Sequence, residues 1–297
     1  MSNQPPVALT IAGSDSGAGA GIQADIKTMG ALGVFAVTAI TAVTAQNTSI
    51  VDGVHAIPAS FVHDQISTVL ADLPVAATKT GMLGSVETIE VVGKCAESGH
   101  LPNLVVDPVM VSSSGQQLLD GGGVIAYREL LLPSALVVTP NLWEAALLCG
   151  TDPAELTDLD SMVSVARSIH DMGARWVLVK GGHLAGVESS SGSGPRPSVP
   201  DVLYDGATVT VLTTDRVDTL NTHGTGCSLS AAIAARLADG ADVVTAVTDA
   251  KQFVHLALVG GAGWHLGKGH GPLDHFGWSY AEGCRDTASS DEIATSH

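Results

Sequence analysis

The chain has 297 residues, 45% apolar and only 14% charged, enough for a large buried core and incompatible with a disordered chain. Its formal charge is −17, so nucleic acid and anionic membranes, which call for a basic face, are disfavoured as partners. The four cysteines, Cys95, Cys149, Cys227 and Cys284, form no CxxC pair, MSNQPPVALTIAGSD has no basic n-region and no apolar run reaches bilayer length, so a cytoplasmic protein with reduced thiols and no zinc site is expected.

Short apolar runs alternate with helical patterns. VALTIA (7–12) reads as a buried strand followed by a glycine-rich turn, and 21–32 as a helix. Residues 34–40 are strand-like, and 58–71 are helical with Pro58 at the start. Residues 76–80, 104–107 and 136–139 read as short buried strands, 141–149 and 161–172 as helices, and WVLVK (176–180) as another strand. This β-α alternation implies a mostly parallel sheet with helices on both faces. Beyond it, 202–204 and 208–212 flank Asp205-Gly206, a hairpin signal. Helices are expected over 226–238 and from 242 to about 263. SSSGSGPRPSVP (189–200) reads as a mobile surface loop. No mid-chain linker divides the chain, so residues 1–276 are expected to form one domain, with 277–297 a poorly ordered tail.

Five segments could carry chemistry. GSDSGAGAGIQAD (13–25) lies between the first strand and a helix. It fits a dinucleotide fingerprint only loosely, because Ala45 and Gln46 stand where an acidic residue is expected. NTHGTGC (221–227) enters an apolar helix, so Gly224, Thr225 and Gly226 should offer backbone N–H groups to an anion. The helix dipole contributes only ~0.3–1 kcal/mol, whereas each hydrogen bond to a charged group adds roughly 1.5–3 kcal/mol. No Walker A sequence is present. Cys227, in the first turn of that helix, could have a lowered thiol pKa and act as a base; it could equally be a small buried residue. His223 makes a Cys/His nucleophile pair conceivable. Asp107, at the end of a buried strand, faces the ligand crevice, and Glu144 of TPNLWE, at the end of another, could hold Mg²⁺ through water; either could equally be a helix cap or a solvated acid. Lys180, before Gly181-Gly182-His183, could reach a phosphate.

Taken in order, AGSDSGAGAGIQAD, AQNT (45–48), KTGML (79–83), DPVM (107–110), TPNLWEA (139–145), KGGH (180–183), NTHGTGC and GKGHGP (267–272) resemble the hydroxymethylpyrimidine/phosphomethylpyrimidine kinases of thiamine biosynthesis, in the ribokinase-like superfamily. The resemblance runs from about residue 7 to 276. It implies a three-layer α/β/α sandwich with a mostly parallel central sheet and a small β-hairpin addition. It also implies an ATP- and Mg²⁺-dependent enzyme, commonly a homodimer, that phosphorylates 4-amino-5-hydroxymethyl-2-methylpyrimidine and then its monophosphate. By resemblance, Gly13, Asp25, Gln46 and Met82 line the pyrimidine pocket, and the Gln46 amide reads the aminopyrimidine edge. Gly224, Gly226 and Cys227 match the anion hole; Asp107, Asn141, Thr225 and Lys180 match the phosphate environment, and Asp107 and Glu144 the metal site. Related sugar kinases end the anion-hole motif with Asp rather than Cys. The first loop reads GSDSGAGAG where the family more often has GSDSSGGAG, which keeps length and small size. A pyridoxal/pyridoxamine kinase on the same fold, and a non-catalytic pyrimidine-binding sensor, are the alternatives.

Overall fold

In the computed structural model, residues 4–110, 119, 121–182, 184, 188–189 and 196–279 are described. The strands are β1 (Val7–Ser14), β2 (Phe35–Gln46), β3 (Val51–Ala56), β4 (Val75–Thr80), β5 (Leu104–Val106), β6 (Val137–Val138), β7 (Trp176–Lys180), β8 (Glu188–Ser189), β9 (Arg196–Tyr204) and β10 (Val209–Asp215). The helices are α1 (Gly21–Ala31), α2 (Ala59–Asp72), α3 (Val86–Glu97), α4 (Gly121–Ala126, continuing as a π-turn over Tyr127–Leu131), α5 (Leu142–Cys149), α6 (Leu159–His170), α7 (Thr225–Ala238) and α8 (Val243–Gly261). One sheet runs in the order β10-β9-β7-β6-β5-β4-β1-β2-β3, with β8 paired to β9. From β7 through β2 all neighbours are parallel; β3 and β9–β10 join antiparallel at the two ends.

Alternate residues of the central strands feed two cores, as the pleat requires. Leu9, Ile11, Val106, Val138, Val177 and Val179 pack toward the layer containing α2, α3, α5 and α6. Ala8, Ala77, Val105, Val137 and Leu178 face α1, α7 and α8. Helix α7 is buried nearly all round; its Ala231, Ala232, Ala234 and Ala235 are 0% exposed, and this run of small side chains lets it lie close on the sheet. The parallel strands β1, β5, β6 and β7 all end on one side of the sheet, the edge where α/β folds bind ligands.

The architecture is the expected ribokinase-like three-layer sandwich, and the expected hairpin, β9–β10, adds to the main sheet through the pairing of β9 with β7. Three expected segments are corrected. The segment 189–200 is not all loop, because β9 begins at Arg196 and Ser198 is buried; residues 190–195 lie outside the described residues. Pro197 and Pro200 disguise this strand, since proline argues against a paired strand in sequence. The strand expected over 34–40 continues to Gln46 and turns back as β3. Of the expected tail, 277–279 are held to the body: the Trp278 and Ser279 amides donate to Asp274 at 2.9 Å, and Trp278 stacks on Trp264. The remainder, with Cys284, lies outside the described residues.

Candidate active site

The crevice at the strand ends is built from two glycine-rich turns lying on each other. The first, between β1 and α1, is closed by its own acid. Asp15 Oδ1 accepts the Gly17 N–H (2.8 Å), and Oδ2 accepts those of Gly19 (3.1 Å) and Ala20 (2.9 Å). Asp15 also bonds His223 Nε2 at 2.9 Å. Burial alone would raise its pKa, but the His223 and amide hydrogen bonds bring it below the ordinary carboxylate value. With its amides occupied by a carboxylate, this turn does not cradle a pyrophosphate, and the dinucleotide fingerprint is excluded.

The second turn, His223–Cys227, leads into α7. Gly224 adopts φ +87, and a Cβ there would stand 1.9 Å from the Gly19 carbonyl oxygen, so contact between the turns requires glycine. Thr225 does not contribute the free N–H expected of it: its amide (3.2 Å) and its hydroxyl (2.7 Å) both donate to the Thr222 carbonyl, closing the turn. Among the described residues, no protein acceptor takes the N–H groups of Gly224, Gly226 or Cys227. Free N–H groups at a helix start are the arrangement that suits an anion.

Lys180, at the end of β7, stands beside this turn. A methyl placed on Gly226 would lie 3.2 Å from Lys180 Nζ and 3.9 Å from Asp107 Oδ2. Lys180 Nζ donates to Asp107 Oδ1 at 3.0 Å and is 3.9 Å from Glu144 Oε2. Asp107 also accepts from Thr139 Oγ1 (3.3 Å) and Ser230 Oγ (3.2 Å). Burial opposes the Lys180 charge, but Asp107 and Glu144 hold its pKa above the ordinary value. Burial is also the main reason Glu144 rises to about 7, with Asp107 adding to it and Lys180 opposing. Asn141 and Glu144 form the capping box of α5: the Asn141 side chain accepts the Glu144 N–H (2.9 Å), and Glu144 Oε2 accepts the Asn141 N–H (2.7 Å). The cap fixes Glu144 toward Lys180 and leaves its second oxygen for other partners.

The residues expected to line an acceptor pocket divide into two groups. Gly13 and Met82 touch, since a Cβ on Gly13 would fall 2.4 Å from Met82 Cε. Gln46, at the end of β2, is half-buried beside His223 and Thr44. Asp25 is 0% exposed, and both its oxygens are engaged, by Lys79 Nζ (2.9 and 3.1 Å) and Thr10 Oγ1 (2.6 Å). It has no open face of its own, and its partner Lys79 is likewise 0% exposed. Cys227 departs from the lowered thiol expected at a helix start. Burial pushes it up to about 11, Asp25 and Asp107 add to the rise, and Lys79 and the Gly21 N–H oppose it. The motifs AQNT and GKGHGP meet as well, the Lys268 and Gly269 amides donating to Thr48 Oγ1 at 3.2 and 3.1 Å. His183 of KGGH lies outside the described residues.

The sequence reading missed Asp15, Lys79 and the pairing role of His223. A signal existed for two of them. An Asp two residues before a glycine is an Asx-turn pattern, and a Lys inside a buried strand must find a charge partner.

Comparison with known proteins gives a consistent family. The family model described as phosphomethylpyrimidine kinase matches residues 15–274. A hydroxymethylpyrimidine/phosphomethylpyrimidine kinase of Rhizobium meliloti is 47% identical over 91% of this chain and 97% of its own length. A thiamine biosynthesis bifunctional protein of Geobacter sulfurreducens is 44% identical over 90% of this chain, but this chain spans only 51% of that longer protein. The structure of pyridoxal kinase from Staphylococcus aureus in complex with AMP-PCP and pyridoxal superposes with a TM-score of 0.81 at 37% identity, covering 93% of this chain and 95% of that one. The chain belongs to the phosphomethylpyrimidine kinase family.

Proposed function

We infer that this member of the phosphomethylpyrimidine kinase family is a hydroxymethylpyrimidine/phosphomethylpyrimidine kinase, transferring a phosphoryl group from ATP to 4-amino-5-hydroxymethyl-2-methylpyrimidine and then to its monophosphate, in thiamine biosynthesis. The observation that carries it is the second turn: three amides without a protein acceptor among the described residues lie in a turn whose Gly226 stands beside the Lys180–Asp107 pair, next to a first turn that is already closed. Phosphoryl transfer needs positioning and charge stabilisation more than covalent chemistry. That suits a chain of net charge −17 whose local positive field comes from backbone N–H groups with Lys180 and Lys79 nearby.

In this reading, Gly224, Gly226 and Cys227 hold the transferred phosphoryl group through their N–H groups. Lys180 neutralises its charge, and Asp107 and Asn141 border the ATP phosphates. Gly13, Met82 and Gln46 seat the ring, with Asp25 and Lys79 supporting them from beneath. The thiolate form of Cys227 is the proposed acceptor of the hydroxymethyl proton. The monophosphate is already ionised and needs no base. For Mg²⁺ the donor set fits, because that ion takes one or two carboxylates and completes its shell with water and substrate phosphate. Asp107 and Glu144 supply the carboxylates, and among the described residues no cluster of three or more His, Cys, Asp or Glu suggests another kind of metal. When bound, the ion would screen the phosphate charge.

A pyridoxal kinase activity is the second reading, favoured by the close superposition on a pyridoxal complex. A coupled ATP-consumption assay with the pyrimidine alcohol, its monophosphate and pyridoxal separates the two. Turnover of both pyrimidines is expected, and no turnover of either would overturn the function. ATP consumption on adding the alcohol also excludes a sensor that binds without turnover.

A second copy of the chain is the proposed partner. The edge strand β3 is mostly exposed, with Val43, Ile50 and Val54 beside or on it, and an open edge is a template for another chain. Light scattering at micromolar concentration is expected to give twice the chain mass. Cytoplasmic location is likewise proposed. Cys95, Cys149 and Cys227 are free thiols, and no described helix is long and apolar enough to cross a membrane.

A further inference from the structure

We infer that His223 is a positioning residue that fixes which way round the Gln46 amide faces the acceptor ring, with Asp15 and Thr44 holding it to one orientation. This rests on the reading that Gln46 seats the pyrimidine.

The hydrogen-bond network decides the orientation. Asp15 accepts three backbone N–H groups as well as His223 Nε2. A carboxylate so surrounded by donors is ionised and acts only as an acceptor. His223 Nε2, 2.9 Å from Asp15 Oδ2, must therefore carry a proton. The structure sets Gln46 Nε2 at 3.4 Å from that same nitrogen and Gln46 Oε1 at 3.2 Å from Thr44 Oγ1. Two donors then face each other at His223. Thr44 has one hydroxyl proton, and the Ser14 carbonyl takes it at 3.0 Å, so nothing is left for the Gln46 oxygen. Exchanging O and N of the amide, which only the network can distinguish, resolves both conflicts at once. The His223 N–H is then shared between Asp15 and the Gln46 carbonyl, and the Gln46 NH₂ donates to Thr44 Oγ1.

The imidazole is itself clamped, since a Cβ on Gly19 would lie 2.2 Å from His223 Cδ2. The acid, the ring and the amide thus form one relay from the first turn to the end of β2. After these bonds, one N–H and one carbonyl lone pair of Gln46 remain, in a fixed left-to-right order. A ring with a nitrogen acceptor beside an exocyclic amino donor matches only one such order. In the wrong order, donor meets donor and acceptor meets acceptor. The relay therefore selects rings with that adjacent acceptor–donor edge against rings that lack the amine.

The test is steady-state kinetics with the aminopyrimidine alcohol and its deamino analogue, on the wild type, Gln46→Met, His223→Leu and the double variant. Gln46→Met and His223→Leu are each expected to raise KM for the amino substrate roughly 10–100-fold. Each should shrink the preference over the deamino analogue and leave KM for ATP unchanged. The double variant is expected to be no worse than Gln46→Met, because His223 acts through Gln46. Additive losses, or full ring preference in His223→Leu, would overturn the positioning role. If Gln46→Met itself keeps its ring preference, the underlying reading of Gln46 fails instead. Should His223→Leu not fold, Thr44→Val removes the acceptor at the other end of the amide. The same KM-only loss is expected there, and unchanged discrimination in Thr44→Val overturns the proposal.

Discussion

The two glycine-rich turns look alike in sequence, both following the Gly-x-Gly pattern at the start of a helix, yet they are opposites in the folded chain. In the first, Asp15 occupies the amides of Gly17, Gly19 and Ala20. In the second, the amides of Gly224, Gly226 and Cys227 have no protein acceptor among the described residues. One turn carries its own anion; the other has none supplied by the described residues, which is why we propose it for phosphate. Glycine content alone does not make a phosphate site. What matters is whether a side chain has already taken the N–H groups.

The strongest way to break this contrast is to move the open turn. Gly224→Ala must adopt φ +87 and place a methyl 1.9 Å from the Gly19 carbonyl oxygen. Losing a single preorganised donor costs about 10²–10³-fold in kcat, and this change displaces three, so at least about 10³-fold is expected. Gly240→Ala is the control: its φ is +90, but nothing lies within 4 Å. It should cost roughly 1–2 kcal/mol of stability for the left-handed backbone and leave kcat unchanged. Kinetics paired with chemical denaturation separate the two effects.

Next comes the thiol of the open turn. Burial pushes Cys227 up to about 11, so only about one thiol in 10⁴ is ionised at pH 7. If that thiolate takes the alcohol proton, kcat/KM for the first phosphorylation rises about tenfold per pH unit from 7 to 9. Cys227→Ala should flatten this slope and slow the first step about 10²-fold. The second step, whose acceptor is already ionised, should show neither effect. Equal losses in both steps would remove Cys227 from the base role.

The closed turn should respond more gently and in a different parameter. Asp15→Asn replaces one acceptor oxygen with a donor among three amides and an imidazole. Unmatched buried groups cost roughly 1–3 kcal/mol, so a lower Tm and about a tenfold rise in KM for the pyrimidine are expected. KM for ATP should change less than about twofold. An equal rise in both KM values would mean that the turns are not functionally separate.

These differences were only partly legible in the chain. Strands such as WVLVK are buried on both faces and announce themselves by continuous apolar character. β3 does not, because nearly every side chain on it is exposed and only its pairing to β2 makes it a strand. β9 is masked by Pro197 and Pro200, which lie toward its start, while Asp201–Tyr204 pair on both sides. At the site, the family resemblance implied that Gly224, Gly226, Lys180 and Asp107 belong together, and the structure sets Lys180 Nζ beside both Gly226 and Asp107. Which amides are taken is decided within a few residues, by Asp15 in the first turn and by Thr222 in the second, but the contact that joins the two turns, between His223 and Asp15, spans 208 residues, and no local pattern encodes it. Two readings of Cys227, a lowered thiol and a small buried residue, stay open in the sequence for a related reason. The helix start favours a thiolate, but burial beside Asp25 and Asp107 outweighs it.

The smallest effect expected lies beneath the open turn and touches stability alone. Ser228, the residue after Cys227, bonds His275 Nε2 through its hydroxyl at 2.8 Å, and both residues are buried. This ties the first turn of α7 to the segment after GKGHGP. Burial, with Lys27 nearby, lowers the His275 pKa from 6.5 to about 4. A depressed pKa means that the native state favours the neutral ring. Its contribution is therefore fully present above pH 6.5 and is lost as the pH falls through about 4. Within that window the unfolding free energy should decline by up to about 1.4 kcal/mol per pH unit from this residue. His275→Gln, which keeps a neutral hydrogen-bonding group, should remove that part of the slope. Urea unfolding at pH 7.5, 6 and 5 reads it directly, and an unchanged slope in His275→Gln would show that this histidine does not set it. Asp15, whose pKa lies below the ordinary carboxylate value, stays ionised in both states across this window, so the closed turn contributes nothing to the slope.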